Sequence, residues 1–282
     1  MTPTPEPDGA WLAPAKLNLM LRVVGRRDDG YHRLQTVFQF LDCSDRLFFD
    51  VRDDGIIRRA EGVSDIPPEQ DLILRAARAL QAHSGSGLGV NVHYEKRLPM
   101  GGGLGGGSSD AATTLHALNR LWELGLDTAT LADIGLRLGA DVPVFVHGRA
   151  AWGEGVGEEL EPVTLPEPWY LVLVPPCHVS TAAVFNDPEL TRDSAPITIR
   201  DFVAGDAVND CLPVVRKRYP VVREAFDWLD ARARARLTGT GACIFAPCAT
   251  RAEAEQLLGR VPAAYAPFVA RGCNRSPLLA GD

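Results

Sequence analysis

No apolar run in the 282-residue chain approaches the ~20 residues needed to cross a bilayer, so no membrane partner is expected. The opening segment, Met1–Ala10, has neither a basic patch nor an apolar stretch, so it is no signal peptide. Rich in Pro and Thr, it reads as a flexible tail. Cys43, Cys177, Cys211, Cys243, Cys248 and Cys273 form no Cys-x-x-Cys pair, and no His-Glu-x-x-His occurs. The spacing therefore fits no protein-held zinc site, and reduced thiols of a cytoplasmic protein are the expectation. Positive charge is in deficit: 29 Lys and Arg against 36 Asp and Glu leave a net charge of −7. An acidic surface repels a phosphate backbone, which argues against nucleic acid while leaving room for a small anionic ligand in a locally positive site.

What is present is a dense glycine cluster. Gly101, Gly102, Gly103, Gly105, Gly106 and Gly107 occupy all but one position of a seven-residue stretch. Relative to alanine, six glycines cost on the order of 2–6 kcal/mol of extra unfolded-state entropy. A plain linker has no need of that, so the loop is expected to use positive φ and close backbone approach. Ser108, Ser109 and Asp110 follow and open a helix, whose first turn offers unpaired N–H groups and the positive end of its dipole to phosphate oxygens. The bland alternative is a flexible turn with a serine or aspartate cap. No Lys follows the glycines, which removes a Walker A loop. Gly101, Gly103 and Gly106 match G-x-G-x-x-G, but Glu123 falls inside the predicted helix, so a dinucleotide oxidoreductase has little support.

Periodicity fills in the rest. Trp11–Val24 reads as a strand with Ala13, Ala15, Leu17, Leu19, Leu21 and Val23 on one face and Lys16, Asn18, Met20 and Arg22 on the other. Further strands are predicted at Val37–Leu41, Arg46–Val51 and Val90–Glu95, with a turn at Arg27-Asp28-Asp29-Gly30. Asp71 is a cap for a helix through His83, and Asp110–Leu124 is a helix with the stripe Ala111, Leu115, Leu118, Trp122. A shorter helix is expected at Leu131–Leu138. The Pro- and Glu-rich stretch Glu161–Pro168 marks a domain boundary, giving 1–10 as tail, 11–163 as an N-terminal domain and 164–282 as a C-terminal one. Beyond it come strands at Tyr170–Val174, Ala242–Ala246 and Phe268–Cys273, and helices at Ile199–Leu212, Val221–Ala233 and Ala252–Leu258. The irregular mixture makes this an α+β chain.

Pro99-Met100-Gly101 through Ser109 resembles the phosphate loop of the GHMP kinases. Pro14-Ala15-Lys16-Leu17-Asn18-Leu19 is similar to that superfamily's N-terminal motif, and Leu237-Thr238-Gly239-Thr240-Gly241-Ala242-Cys243 to its C-terminal glycine motif. The segments Asp29–Phe38, Gly139–Phe145 and Ser180–Pro188 narrow the resemblance to the branch acting on a cytidyl diphosphate derivative of methylerythritol. Met20, where phenylalanine is common, and Trp152, where another apolar residue is frequent, depart from the pattern.

The resemblance implies a fold with an N-terminal ribosomal-protein-S5-domain-2-like domain and a C-terminal ferredoxin-like domain. It implies ATP and Mg²⁺, the metal arriving with ATP, and phosphorylation of a 2-hydroxyl in the non-mevalonate route to isoprenoid precursors. Asp141 is then the base and Lys16 the neighbouring cation; without the resemblance, Asp141 reads as a cap and Lys16 and Asn18 as a solvated face. Lys96, Pro99, Met100, Gly101–Gly107 with Leu104, Ser108 and Ser109 are the ATP-binding set. Asn18, Tyr31, His32, Thr181 and Phe185 are the substrate set, with Tyr31 and Phe185 stacking on the cytosine and His32 pairing with its edge. Gly239 and Gly241 form a second tight turn. The same residues leave open a GHMP kinase for another alcohol, or a nucleotide-binding regulator without catalysis, as a monomer or homodimer.

Overall fold

The computed structural model describes residues 3–28, 30–60 and 66–279. Asp29 of the expected turn and the first two residues of the leading segment lie outside them. Pro3–Ala10 is tied down: Arg120 donates to the Pro3 carbonyl, Asp8 pairs with Arg46, and Ala10 is buried.

The chain is α+β, and its sheet is organised by two long antiparallel strands, β1 (Trp11–Arg26) and β2 (His32–Arg52). The two strands expected at Val37–Leu41 and Arg46–Val51 are one. The polar run Asp42-Cys43-Ser44-Asp45 continues the strand, and Asp45 within it is fully buried and accepts from the backbone N–H groups of Arg97 and Leu98 at 2.6 and 2.8 Å. Both faces of β1 are covered as well. Lys16 and Asn18 are 2% and 3% exposed, which corrects the solvated-face reading.

Next come β3 (Ile57–Arg59), α1 (Leu72–Ser84) and β4 (Gly89–Glu95). Asp71 caps α1 by accepting from Ile73 N–H at 2.9 Å, and Gly85 closes it in the left-handed conformation. Then follow α2 (Gly106–Leu121), α3 (Thr128–Leu136) and α4 (Val142–His147). Helix α2 starts four residues before the predicted Asp110, inside the glycine run, because packing overrides the poor helix propensity of glycine. Its predicted one-sided stripe is too modest: every residue from Ser109 to Leu118 is buried. Three of the polar ones find backbone partners, Thr113 on the Leu12 carbonyl at 3.0 Å, Thr114 on that of Asp110 at 2.8 Å and His116 on that of Val146 at 2.9 Å, whereas Ser109 Oγ is buried without one.

The hairpin β5 (Ala151–Glu154) and β6 (Glu159–Pro162) was not foreseen. It leads to β7 (Trp169–Leu173), α5 (Thr181–Phe185), α6 (Ile199–Val203), α7 (Leu212–Arg218), α8 (Pro220–Asp230), β8 (Arg236–Leu237), β9 (Ile244–Cys248), α9 (Arg251–Leu258) and β10 (Phe268–Cys273). The helix expected over Ile199–Leu212 is divided. The chain leaves helical geometry at Gly205 (φ +115°) and then hydrogen-bonds along β1, Leu21 N–H to Val208 O at 3.0 Å and Asp210 N–H to Leu21 O at 2.8 Å.

The main strand path is β3-β4-β2-β10-β7-β9-β8, with β1 and β5 also on β2 and β6 on β5. Strand β10 joins the halves, pairing with β2 at Phe40–Leu41 and with β7 over Trp169–Val172. One core cluster gathers α1, α2 and α4 against β2 and β4, another gathers α7 and α8 against β7 and β9, and a third contains residues of β1, β2, β7 and β9. Among the described residues no helix is long and apolar enough to cross a membrane.

Candidate active site

The glycine run lies where the two halves meet. Gly103 takes φ +78°, and a Cβ there would collide with the Thr238 carbonyl oxygen and stand 3.1 Å from that of Gly241. At Gly105 (φ +73°) a Cβ would fall 2.7 Å from Phe145 Cζ and 3.0 Å from Lys16 Cε. These two positions require glycine for conformation and for space. The loop is also stitched to both neighbours. Lys16 N–H donates to Leu104 O at 2.9 Å, Cys243 N–H to Gly102 O at 3.0 Å, and the Thr238 hydroxyl to Gly103 O at 3.1 Å.

Gly105 caps α2 without a side-chain partner, and the helix's first internal bond comes from Ser109 N–H to Gly105 O at 2.8 Å. Among the described residues, the N–H groups of Gly106, Gly107 and Ser108 therefore have no acceptor, and they stand at the positive end of a 16-residue helix. Such a terminus holds phosphate oxygens.

Lys16 reaches the front of this loop from β1. Its ammonium donates to Asn18 Oδ1 at 2.6 Å and Gly103 O at 3.1 Å, and lies 3.1 Å from Asp141 Oδ2. Phe38 presents its ring 5.6 Å away. Asn18 is fixed in turn: its side-chain amide donates to Thr36 Oγ1 at 2.9 Å and its N–H to Thr238 Oγ1 at 3.0 Å. Asp141 precedes α4 but makes no cap bond, so its carboxylate serves Lys16 rather than the helix. It is about one-third exposed, whereas Lys16 is buried.

Two cavities share this front. One, of about 310 Å³, is lined by Lys16, Asn18, Thr36, Phe38, Asp141, the Val156–Gly157 turn, Thr181, Phe185, Gly239 and Thr240. The other, of about 910 Å³, runs behind the loop past Gly101–Gly107, Lys96, Pro99, Met100 and Asp71. Gly103, Ser108 and Asp141 line both. The structure thus brings Asn18, Thr181 and Phe185 to one cavity and the glycine segment with Lys96, Pro99 and Met100 to the other. Tyr31, two-thirds exposed, and His32 are not in these walls. Phe185 stacks on His32 instead of facing Tyr31, with ring centroids 5.1 Å apart and planes at 24°. Gly239 and Gly241 form the second turn against Gly103, and Thr181 meets Thr240, hydroxyl to hydroxyl, at 3.0 Å.

Beneath the loop is a charged group that sequence reasoning passed over. Lys96 bridges Asp45 and Asp110, the latter at 2.7 Å. Burial pushes the Asp110 carboxyl up to about 7; Lys96 pulls it down and Asp45 raises it further. Its Oδ1 is buried without a partner, so the ionised carboxylate gains no hydrogen bond there, in keeping with the raised value. Lys96 itself is raised, Asp110 and Asp45 outweighing the effect of its burial. The sign of the linkage follows. Between about 3.9, the value for an unfolded Asp, and about 7, the native state holds a proton that the unfolded chain has lost. Stability from this group therefore falls as pH rises through that window. Asp110→Asn should flatten the dependence, so that its urea midpoint overtakes that of the parent as pH rises from 5 to 8. Parallel curves for the two proteins would show that Asp110 does not titrate there.

The chain is similar to known proteins over most of its length. Residues 71–149 match the model for the GHMP kinases N terminal domain and 197–267 that for GHMP kinases C terminal. The chain is 60% identical over 269 residues to a 4-diphosphocytidyl-2-C-methyl-D-erythritol kinase of Alkalilimnicola ehrlichii, covering 95% of this chain and 92% of that one. It is 58% identical to the protein of the same name from Pseudomonas aeruginosa, covering 94% of each. A crystal structure of 4-(cytidine 5'-diphospho)-2C-methyl-D-erythritol kinase superposes with a TM-score of 0.80 at 32% identity, over 93% of this chain and 98% of the other. Homoserine kinase from Cytophaga hutchinsonii, at 17% identity and a TM-score of 0.66, shares the fold.

Proposed function

The chain belongs to the 4-diphosphocytidyl-2-C-methyl-D-erythritol kinases within the GHMP kinases, and from that premise we propose how its own residues carry out the transfer. It is an ATP-dependent small-molecule kinase of isoprenoid biosynthesis. The acceptor is the 2-hydroxyl of 4-diphosphocytidyl-2-C-methyl-D-erythritol. The observation that carries the reading is the junction of two cavities at Gly103, Ser108 and Asp141.

ATP lies in the larger cavity, with its phosphates on the free N–H groups of Gly106, Gly107 and Ser108. The acceptor alcohol enters the smaller one. Asp141 engages Lys16 through Oδ2, which leaves Oδ1 to accept the hydroxyl proton. Lys16, immobilised by Asn18 and Gly103, places positive charge beside the phosphoryl group as it moves between oxygens. Ser108, a residue that lines both cavities, would offer a hard oxygen donor to Mg²⁺ arriving with the triphosphate, and the metal would supply neutralisation of phosphate charge. Phe185 and His32 receive the cytosine. The division into domains is kept at residues 163 and 164, with α1, α2 and α4 feeding one core cluster, α7 and α8 another, and a third cluster crossing the boundary.

A coupled assay of ADP release should show turnover with the cytidyl substrate and far less with mevalonate or homoserine. Activity with one of the latter alone would reassign the alcohol. Phe185→Ala should raise KM for the cytidyl substrate roughly 10- to 100-fold, the scale of one base–aromatic stack. KM for ATP should hold. An unchanged cytidyl KM would move the base to another place.

A further inference from the structure

Arg192, between α5 and α6, uses its guanidinium in an unusual way. One terminal nitrogen, Nη2, donates to the carbonyls of Phe185 at 2.8 Å and Asp187 at 2.7 Å, and Nη1 donates to that of Leu190 at 3.1 Å. The remaining bond crosses to the N-terminal half: Nε donates to His32 Nε2 at 3.1 Å. An arginine has no acceptor and does not lose its proton, so the nitrogen facing it must offer a lone pair. His32 is then a neutral imidazole whose single proton is on Nδ1. Burial, Arg192 and Arg26 all lower the pKa of His32, in keeping with that neutral form. No acceptor for Nδ1–H is found among the described residues, and the ring is clamped by its stack on Phe185.

We propose that Arg192 is a positioning residue for base selection: it fixes His32 as the Nδ1–H tautomer and thereby presents one defined donor to the incoming base. This rests on the reading that His32 and Phe185 receive the cytosine. Cytosine carries an acceptor at N3, whereas uracil carries an N–H there, so a locked donor accepts the first and opposes the second. A histidine free to exchange tautomers would tolerate both. The same guanidinium holds the carbonyl of Phe185, so the stacking ring and the donor are set by one side chain. A lysine has the charge but not the planar fork that serves four acceptors at once.

The test begins with the unmodified protein. Long-range ¹⁵N correlation spectra, with the His32 signals assigned by their loss in His32→Asn, should show a protonated Nδ1 and a bare Nε2. A proton on Nε2, or on both nitrogens, at pH 7 overturns the inference. In Arg192→Met and Arg192→Lys, the His32 signals should move toward a tautomer mixture. The ratio of kcat/KM for the cytidyl substrate over its uridyl analogue should fall about tenfold, the scale of one hydrogen bond, with KM for ATP unchanged. A purely structural Arg192 would depress both substrates equally and leave the ratio alone, and that outcome also overturns the proposal. The two readings fail differently. If the base binds elsewhere, Phe185→Ala is silent; if only Arg192 is misassigned, Phe185→Ala raises KM while the ratio survives Arg192→Met.

Discussion

Asp141→Asn is expected to turn over about 10²–10⁴ times more slowly than the parent, the range for loss of a positioned proton acceptor. The substitution preserves shape, and Lys16 retains Asn18 Oδ1 and the Gly103 carbonyl, so the front of the loop should remain in place. The loss should therefore fall on kcat, while KM for both substrates changes little. KM for ATP in particular has no reason to rise, because the buried ammonium then meets the polyphosphate with its charge uncompensated. Steady-state ADP release measured against each substrate separates the two parameters. A kcat near that of the parent would remove Asp141 from the chemistry and leave it a partner of Lys16 alone.

The second large effect is on stability. Gly103→Ala places a methyl against the Thr238 carbonyl oxygen, a backbone atom held in the turn by the Gly241 N–H at 2.9 Å, and in a left-handed conformation besides. The conformational part costs about 1–2 kcal/mol and the overpacking about 1–3 kcal/mol. Together they take about 2–5 kcal/mol, a large share of the stability of a typical domain. Urea denaturation should show a much lower midpoint and, at low denaturant, weakened ATP binding. Gly107→Ala is the control. It sits in α2 with only the flexible tip of Leu72 at 3.3 Å, and alanine favours the helix by roughly 0.5–1 kcal/mol. If both variants unfold at the same urea concentration, close backbone approach is not what Gly103 is there for.

The parts of the molecule that could be read from sequence are those whose cause is local. The Asp71 cap of α1 is where cap chemistry puts it, the helix runs one residue past the expected His83, and β10 has its predicted ends. The glycine density pointed to left-handed backbone, found at Gly101, Gly103 and Gly105. What escaped depends on distant partners. The continuity of β2 through Asp45 depends on groups about fifty residues away, Lys96 and the Arg97 and Leu98 amides. Helix α2 begins earlier than the poor helix propensity of glycine predicts, and nothing local reveals that Phe145 and Lys16 close off the space for a side chain at Gly105. The Val156–Gly157 turn lines the smaller cavity but has no chemistry-bearing residue to attract notice. Arg192 was one of many scattered arginines until the fold set it against His32.

The return of β10 into the middle of the sheet has a consequence for biosynthesis. As the polypeptide leaves the ribosome, β2 and β7 emerge long before the strand that pairs with both. Until β10 arrives, each of them presents open backbone to the nascent-chain environment, an edge of the kind that recruits chaperones or neighbouring chains. Productive maturation of this kinase should therefore be decided late in translation, when that final segment slots in.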